Sequence, residues 1–572
     1  MAKRKNKKND YPVRVFQLGI YSLGGNEQIM LEQLKRGNEY RNKLCEVEWA
    51  RRKDYHATIA KYVPEYGAAK DRELALDEEL FTTRKALQRK RQQARKRLPE
   101  EPALRKIVDI GADLKVARDQ VKVLKKKFTT EYSHLPEVIA TTAEDVARHR
   151  IRFKAARKGS QLYSGTYTEI ETGMKAATKG PPPRKRRYEG EGKLAIMFGG
   201  GIPVTKLFGP NARFKSDAIP EAAFIGTKAS RRRNRIVQAK FSIASGDKRK
   251  AIMMDIGIIW HRPLPEDGIV KSVVLFRRRF GTKFRWYIQF RIARAAGFVP
   301  KDLAKAGRVG VDVGWRKLPT GDIRVAYWAG SDGRQGSVEL SPYDIGGWER
   351  ADSLRGIRDT NFNVMVEMLK EWLGAQTAVP EWLVEQTKTM HAWRATRRLV
   401  HVWRQWSENR FAGDEDIFNK LEAWKLQDDH LWDWEANQRR KSINWRQDFY
   451  RVFAARTLRQ QYRDIIIEKI DWRDFAEKPK PEEDEDYGNN RYNMKLASPG
   501  LLQLTIKNSG AAVYTADPKY TTSKCHLCDH LETFDQAKDL YHTCSACGVT
   551  WDQDYNAAMN LLKYNTAESQ PK

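Results

Sequence analysis

The sequence is short of cysteine, of long apolar runs and of acid. Five cysteines among 572 residues are too few for the disulfide scaffold that stabilises small secreted domains. No apolar run approaches the roughly 20 residues that span a bilayer. The opening Met1-Ala2-Lys3-Arg4-Lys5-Asn6-Lys7-Lys8 lacks the apolar core of a signal peptide. These shortages predict a soluble, cytoplasmic protein with no membrane partner. Acidic residues number 73 against 105 basic ones, a formal charge of +32. A charge that large repels itself in a free compact chain, so a polyanion is the expected neutraliser, nucleic acid foremost. At this length roughly three or four domains are expected.

What is present changes character along the chain. A basic arm and one strand, Tyr11 to Ile20, fill residues 1–25. Residues 26–178 read as a helical domain, poor in Gly and Pro. Within it Arg84, Lys85, Arg89, Lys90, Arg91, Arg95, Lys96 and Arg97 place cations on nearly every side of a helix. The segment Leu104 to Leu124 reads as the other arm of a helical hairpin. Gly180-Pro181-Pro182-Pro183 breaks the pattern ahead of Arg184, Lys185, Arg186 and Arg187. Period-two alternation then predicts a small β-barrel over 179–305, to which the strand near the N-terminus returns. In Phe284 to Ile292 one face is apolar, and the other, bearing Arg285 and Arg291, is free to meet phosphate and sugar. A further basic run, Arg277, Arg278 and Arg279, closes the preceding strand. Phosphate contacts at all three runs are expected from charge alone; the competing reading is a solvated cationic face.

Residues 306–515 and 551–572 read as one α/β domain in two parts, interrupted by 516–550. The first part opens on a three-stranded meander beginning at Arg308 and continues into a helical region from 350 to 460. That region is rich in tryptophan, expected mostly as core. The interruption carries Cys525, Cys528, Cys544 and Cys547, two C-x-x-C pairs separated by 15 residues. This is the spacing of a four-thiolate Zn²⁺ ribbon, each pair forming one knuckle of a tetrahedral site. Immediately after comes Asp552-Gln553-Asp554-Tyr555-Asn556-Ala557-Ala558-Met559-Asn560. Asp312 and Glu468 occupy apolar strands and Asp554 a helix start, where an isolated carboxylate is costly unless it is paired or binds metal. Three converging acids could hold two Mg²⁺ or Mn²⁺ ions for phosphodiester hydrolysis. Asp552 is the alternative to Asp554 as the third ligand.

The D-x-G at Asp312, the strand glutamate Glu468, the ribbon, and D-x-D-x-N-A-A in that order resemble the RuvC nuclease domain of type V CRISPR effectors and their transposon-encoded TnpB relatives. Tyr520-Thr521-Thr522-Ser523-Lys524-Cys525 is similar to that family's T-S-x-x-C lead-in, with Thr522 where Ser is usual. Val311-Asp312-Val313-Gly314-Trp315-Arg316 and the length are most similar to the miniature type V-M group. The specific motifs cover about 310–316 and 464–563; the N-terminal half matches in layout alone. The resemblance implies a multidomain α/β protein: a ribonuclease H-like RuvC domain with a zinc ribbon, a helical recognition lobe and a β-barrel wedge domain. It implies a monomeric ribonucleoprotein in a prokaryotic cell or encoded by a phage, with guide RNA (crRNA) and target double-stranded DNA as partners and Mg²⁺ (or Mn²⁺) and Zn²⁺ as cofactors. Members of the type V-M group commonly have a defective acidic position and silence by binding, whereas Asp312, Glu468 and Asp554 form a complete set here. Three functions stay open: a DNA endonuclease using those acids, a silencer whose site is idle or matures guide RNA, and a TnpB-like transposon-associated nuclease.

Overall fold

A computed structural model describes residues 12–25, 27–94, 102–216, 236–245, 251–298, 300, 302–470, 486–536 and 539–564. At 84–85, 87–94, 102–104, 243–245, 251–252 and 486–490 it describes the backbone alone. The chain divides into two compact units: residues up to 279 with 284–295, and 280–283 with 296 onward.

In the first unit β1 (Val13–Leu23) leads into six helices: α1 (Glu27–Tyr62), α2 (Pro64–Ala94), α3 (Pro102–Tyr132), α4 (Pro136–Ile139), α5 (Val146–Ala156) and α6 (Ser164–Ala177). Long stretches of helix formers let α1 to α3 extend, and Pro64 sits at the start of α2, where its missing N–H costs nothing. α2 and α3 pair through Leu76, Leu80, Ile107, Ile110 and Leu114. α1 buries Tyr40, Leu44 and Cys45 against Phe153 and Tyr167.

The helices are followed by β2 (Gly192–Pro203), β3 (Phe208–Gly209), β4 (Phe214–Lys215), β5 (Ile236–Ser245), β6 (Ala251–Ile259), β7 (Ile269–Phe280) and β8 (Lys283–Ala293). The eight strands form one sheet in the order β2-β7-β8-β1-β6-β5-β4-β3, with β1 returning to its middle. The sheet curls. Phe214 on β4 and Phe290 on β8 stand four places apart in that order, yet their ring centroids lie 5.9 Å apart. Trp260 joins them at 5.9 Å from Phe290. Alternation in β8 buries Trp286, Ile288, Phe290 and Ile292 as expected. Its other face is not simply open to phosphate: Arg291 makes a two-pronged ion pair with Glu169 of α6, at 2.7 and 2.5 Å. The expectation for that position is therefore corrected; a carboxylate on the covering helix already neutralises it.

The second unit is built on a five-stranded sheet of β9 (Arg308–Lys317), β10 (Ile323–Gly330), β11 (Gln335–Leu340), β12 (Asp464–Glu468) and β13 (Ala512–Ala516), in the order β11-β10-β9-β12-β13. β9 to β11 form the antiparallel meander; β12 runs parallel to β9, and β13 parallel to β12. β12 is buried along its whole length, as a parallel strand covered on both faces should be. Between β11 and β12 lie α7 (Pro342–Ala375), α8 (Glu381–Thr387), α9 (Thr396–Glu408) and α10 (Glu415–Val452). Trp393, Trp406 and Trp424 are buried in their core, with Trp372, Trp382 and Trp403 packed against it. After β12 come α11 (Asp486–Ala497) and α12 (Pro499–Lys507); after β13 come the ribbon hairpin, β14 (Tyr541–Thr543) with β15 (Thr550–Asp552), and α13 (Gln553–Leu562).

Candidate metal and nucleic-acid site

One glycine seats the last helix on the sheet. A Cβ at Gly310 of β9 would run into the backbone of Ala558 and Leu562, so only glycine lets α13 lie this close. Ala557 and Ala558, both fully buried, are small for the same reason. Asp312 lies two residues beyond Gly310 on the same face of the strand, and Asp554 lies one helical turn before Ala558. Close packing at Gly310 thereby brings these two acids together. The third follows from strand register: Ile467 pairs with Val311 across the parallel β12–β9 ladder, so Glu468 lies beside Asp312.

The three acids influence one another strongly. Burial holds the Asp312 carboxyl well above the usual carboxylate range, and the charges of Glu468, Asp554 and Asp552 push it further. Burial also raises Glu468, opposed by a hydrogen bond from the Thr521 hydroxyl. Asp554 is raised by burial and by Asp552, against Arg324 and Arg316. Hydrogen bonds distinguish Asp552 from Asp554. One Asp552 oxygen caps α13, accepting from the Asp554 and Tyr555 N–H groups at 2.9 and 3.3 Å; the other takes Arg324 Nη1 at 2.6 Å. Asp554 gives one oxygen to the same Arg324 nitrogen at 3.1 Å and has no capping duty. It is the acid left available.

The ribbon is tied to this site through side-chain amides. Asn556, fully buried, donates to the Thr522 and Lys524 carbonyls at 2.9 and 2.8 Å, and its oxygen accepts the His526 N–H at 2.8 Å. Asn560 donates to the Thr521 and Lys524 carbonyls at 2.9 and 2.6 Å. The D-x-D-x-N-A-A-x-N stretch thus supplies in turn a cap, an acid paired through one oxygen with Arg324, a clamp, two small residues, and a second clamp. The clamped segment carries Thr521, which bonds Glu468, and leads straight into Cys525.

All four cysteine sulfurs lie within 4.8 Å of one another, with Cys525 to Cys547 at 3.7 Å and Cys528 to Cys544 at 3.5 Å. Four thiolates at about 2.3 Å from a tetrahedral Zn²⁺ stand about 3.8 Å apart, so the quartet fits that ion. Glu532 braces the second knuckle, accepting from the Ser545 N–H and hydroxyl at 2.6 and 2.9 Å. Among the described residues this is the one group of metal-ligating side chains drawn so close.

The basic runs divide. Arg277 is half-buried: its guanidinium lies 3.9 Å from the Phe284 ring centroid and donates to the Gly190 carbonyl at 3.1 Å. The strand thus seats its guanidinium on an aromatic ring, and its expected phosphate contact remains a proposal. Arg279 also lies over Phe284, while Arg278 lies over Phe276, and both are exposed. Arg184, Lys185, Arg186 and Arg187 are exposed on a segment whose backbone is held by Arg41, Asn38 and Asn42 of α1. Lys185 is paired with Glu46 at 2.5 Å. Arg84, Lys85, Arg89, Lys90 and Arg91 fall on α2 with their side chains outside the described residues, and Arg95, Lys96 and Arg97 lie outside them altogether. Sequence reading missed Gly310, Arg324, Thr521 and Asn560; the motif containing Asn560 was its one available signal.

Residues 501–561 match the family model Cas12f1-like, TNB domain, which covers the ribbon and the helix clamped to it. With the acids beside it, this defines the class: a miniature type V CRISPR-associated effector. A CRISPR-associated DNA-binding protein Cas12m of Allomeiothermus silvanus is 31% identical over 96% of this chain and 97% of its own. Another Cas12m, of Thermanaerosceptrum fracticalcis, is 30% identical over 72% and 71%. A solved Cas12f1-sgRNA-target DNA complex aligns with 97% of this chain and 99% of that one at 12% identity, with a TM-score of 0.35. The chain belongs to the Cas12m family.

Proposed function

We propose that this protein binds target DNA under the direction of a guide RNA, as a monomeric ribonucleoprotein, and that its acids form a working RuvC-type site. The DNA-binding part is supported by the relatives' names and by a charge of +32, suited to gripping backbone while the guide reads sequence. The ribonuclease H-like reading is supported by the order of the five-stranded sheet, a three-stranded meander followed by two parallel strands. One observation carries the catalytic part: the β12–β9 register and the close seat of α13 at Gly310 bring Glu468 and Asp554 to Asp312. Burial, with the charges of those neighbours, holds Asp312 well above its ordinary range, and divalent cations would relieve the repulsive share. Bound Mg²⁺ would supply an activated water and neutralise charge on the phosphodiester. The residues supply the rest: Thr521 orients Glu468, Asp552 fixes the start of α13, and Gly310 sets the approach of Asp554 to Asp312.

A second reading is guide-directed binding without cutting. Arg324, which bridges Asp552 and Asp554, favours it by occupying an oxygen that a cation would need. Protein loaded with guide RNA, Mg²⁺ and end-labelled matched duplex decides between the two. Cutting by wild type that Asp312→Ala abolishes is the expected result; tight guide-dependent binding by both without cutting would overturn the hydrolytic reading.

A further inference from the structure

Arg324 stands at a fault in the register of its strand. On one side it pairs with Glu339 of β11 and Ala326 pairs with Val338, so Val325 has no opposite residue. On the other side it pairs with Arg316 of β9 and Ala326 with Val313, so Gly314 and Trp315 together oppose Val325. The fault changes where Arg324 points. Tyr327 lies opposite Asp312 and shares its face of the sheet. In an unbroken strand Arg324, three residues away, would face the other side. Here its guanidinium lies 5.4 Å from the Tyr327 ring centroid and reaches the acids. Bulges that re-aim a side chain in this way are over-represented beside active sites.

Once there, the guanidinium is shared unequally. Nη1 donates to Asp552 at 2.6 Å and to Asp554 at 3.1 Å, while Nε donates to Glu339 at 3.3 Å. The Asp554 contact is the longer of the two made by one nitrogen, and Asp552 and Glu339 anchor Arg324 without it. A divalent cation at Asp554 would repel the guanidinium, and a buried guanidinium short of carboxylates is costly. Glu339, its partner across the ladder, offsets that cost. We propose that Arg324 is a displaceable counter-ion: it holds Asp554 until a divalent cation arrives and then passes to Glu339. Glu339, outside the acid set, thereby sets how readily the cation enters. This rests on the reading of Asp312, Glu468 and Asp554 as a cation site.

The test titrates Mn²⁺ into the zinc-loaded full chain and follows the paramagnetic signal of the free ion, with Asp312→Ala marking what binds at the acids. Arg324→Gln should bind Mn²⁺ about tenfold tighter than wild type and Glu339→Gln about tenfold weaker, since partners of metal ligands shift affinity by about 10–100-fold. The decisive variant carries both substitutions. With Glu339 acting by receiving Arg324, the double variant binds as tightly as Arg324→Gln alone; with two charges acting independently, their effects add and the double variant returns to wild-type affinity. Additivity, or wild-type affinity in Glu339→Gln, would overturn the exchange and leave the acid site standing. Glu339 is 31% exposed on the edge strand β11, so Glu339→Gln keeps the fold and carries the test alone should Arg324→Gln not fold. No Mn²⁺ at the acids in any of these proteins, with zinc retained, would refute the acid site and the exchange with it. The expected coupling in a wild type that never cuts DNA would refute the catalytic reading and keep the exchange.

Discussion

Two sets of buried or partly buried carboxylates in the second unit are treated in opposite ways. Between α7 and α10, Asp428 and Glu435 share the guanidinium of Arg358, at 2.8 and 3.0 Å, with side-chain exposures of 4%, 11% and 11%. Glu435 also accepts from Arg439, which reaches Asp352 at 2.7 Å. Each acid there pairs with at least one arginine. Of Asp312, Glu468 and Asp554, the described ion pairs reach only Asp554, through Arg324, which is divided with Asp552 and Glu339; Arg316 adds a more distant positive charge. On the proposed reading, the under-neutralised set is the one that a cation from outside would stabilise. Breaking either arrangement should have effects of different kind as well as size.

The largest effect is expected at the ribbon, because it holds the under-paired acids in place. Structural zinc contributes about 10–16 kcal/mol to small ribbon-like modules. Cys525→Ser or Cys547→Ser should lose zinc, open the clamped segment 521–526 to protease and weaken Mn²⁺ binding at the acids, because Asn556 and Asn560 would no longer hold the Thr522 and Thr521 carbonyls and Thr521 would be free to leave Glu468. Metal analysis with Mn²⁺ titration checks this; full zinc content and cation binding in both variants would refute it. Arg358→Met should come next, costing about 3–5 kcal/mol by leaving buried Asp428 and Glu435 without their shared partner. Denaturant melts should show that loss with zinc content and Mn²⁺ affinity unchanged, which is the sharpest contrast between the two sets.

How much of this was legible in the sequence depends on how local each cause is. A zinc knuckle needs its two cysteines within one turn, so C-x-x-C is readable without the fold. The strand acids were readable because Asp312 and Glu468 interrupt apolar runs. Arg324 and Gly310 have no local signature: each matters through a partner more than 200 residues away. The surroundings of the basic runs were hidden for a related reason. Charge says what a side chain can bind, while strand alternation decides where it points, and at residue 277 it points onto Phe284.

The smallest effect runs in an unusual direction. Removing a charge from a paired set destabilises, whereas Asp312→Asn should stabilise the metal-free protein near neutral pH, on the order of 1–2 kcal/mol, because it removes one of three mutually repelling acids. Burial and like charge raise the folded carboxyls above their unfolded range of about 4, so the folded state binds these protons more tightly. The repulsion is therefore relieved as pH falls through the folded values and returns as pH rises. Metal-free wild type should gain stability between neutrality and about pH 5, and Asp312→Asn should flatten that slope. Asp414 and Glu532, held down to about 2, work oppositely: their stabilisation is lost only as pH falls below the ordinary carboxylate range. Mg²⁺ should stabilise wild type at neutral pH, less so at pH 5, and Asp312→Asn hardly at all. Thermal melts at the two pH values, with and without Mg²⁺, check each sign. Equal pH slopes for wild type and Asp312→Asn would mean that these acids are already neutralised, and that the contrast with Arg358 and its partners is one of geometry alone.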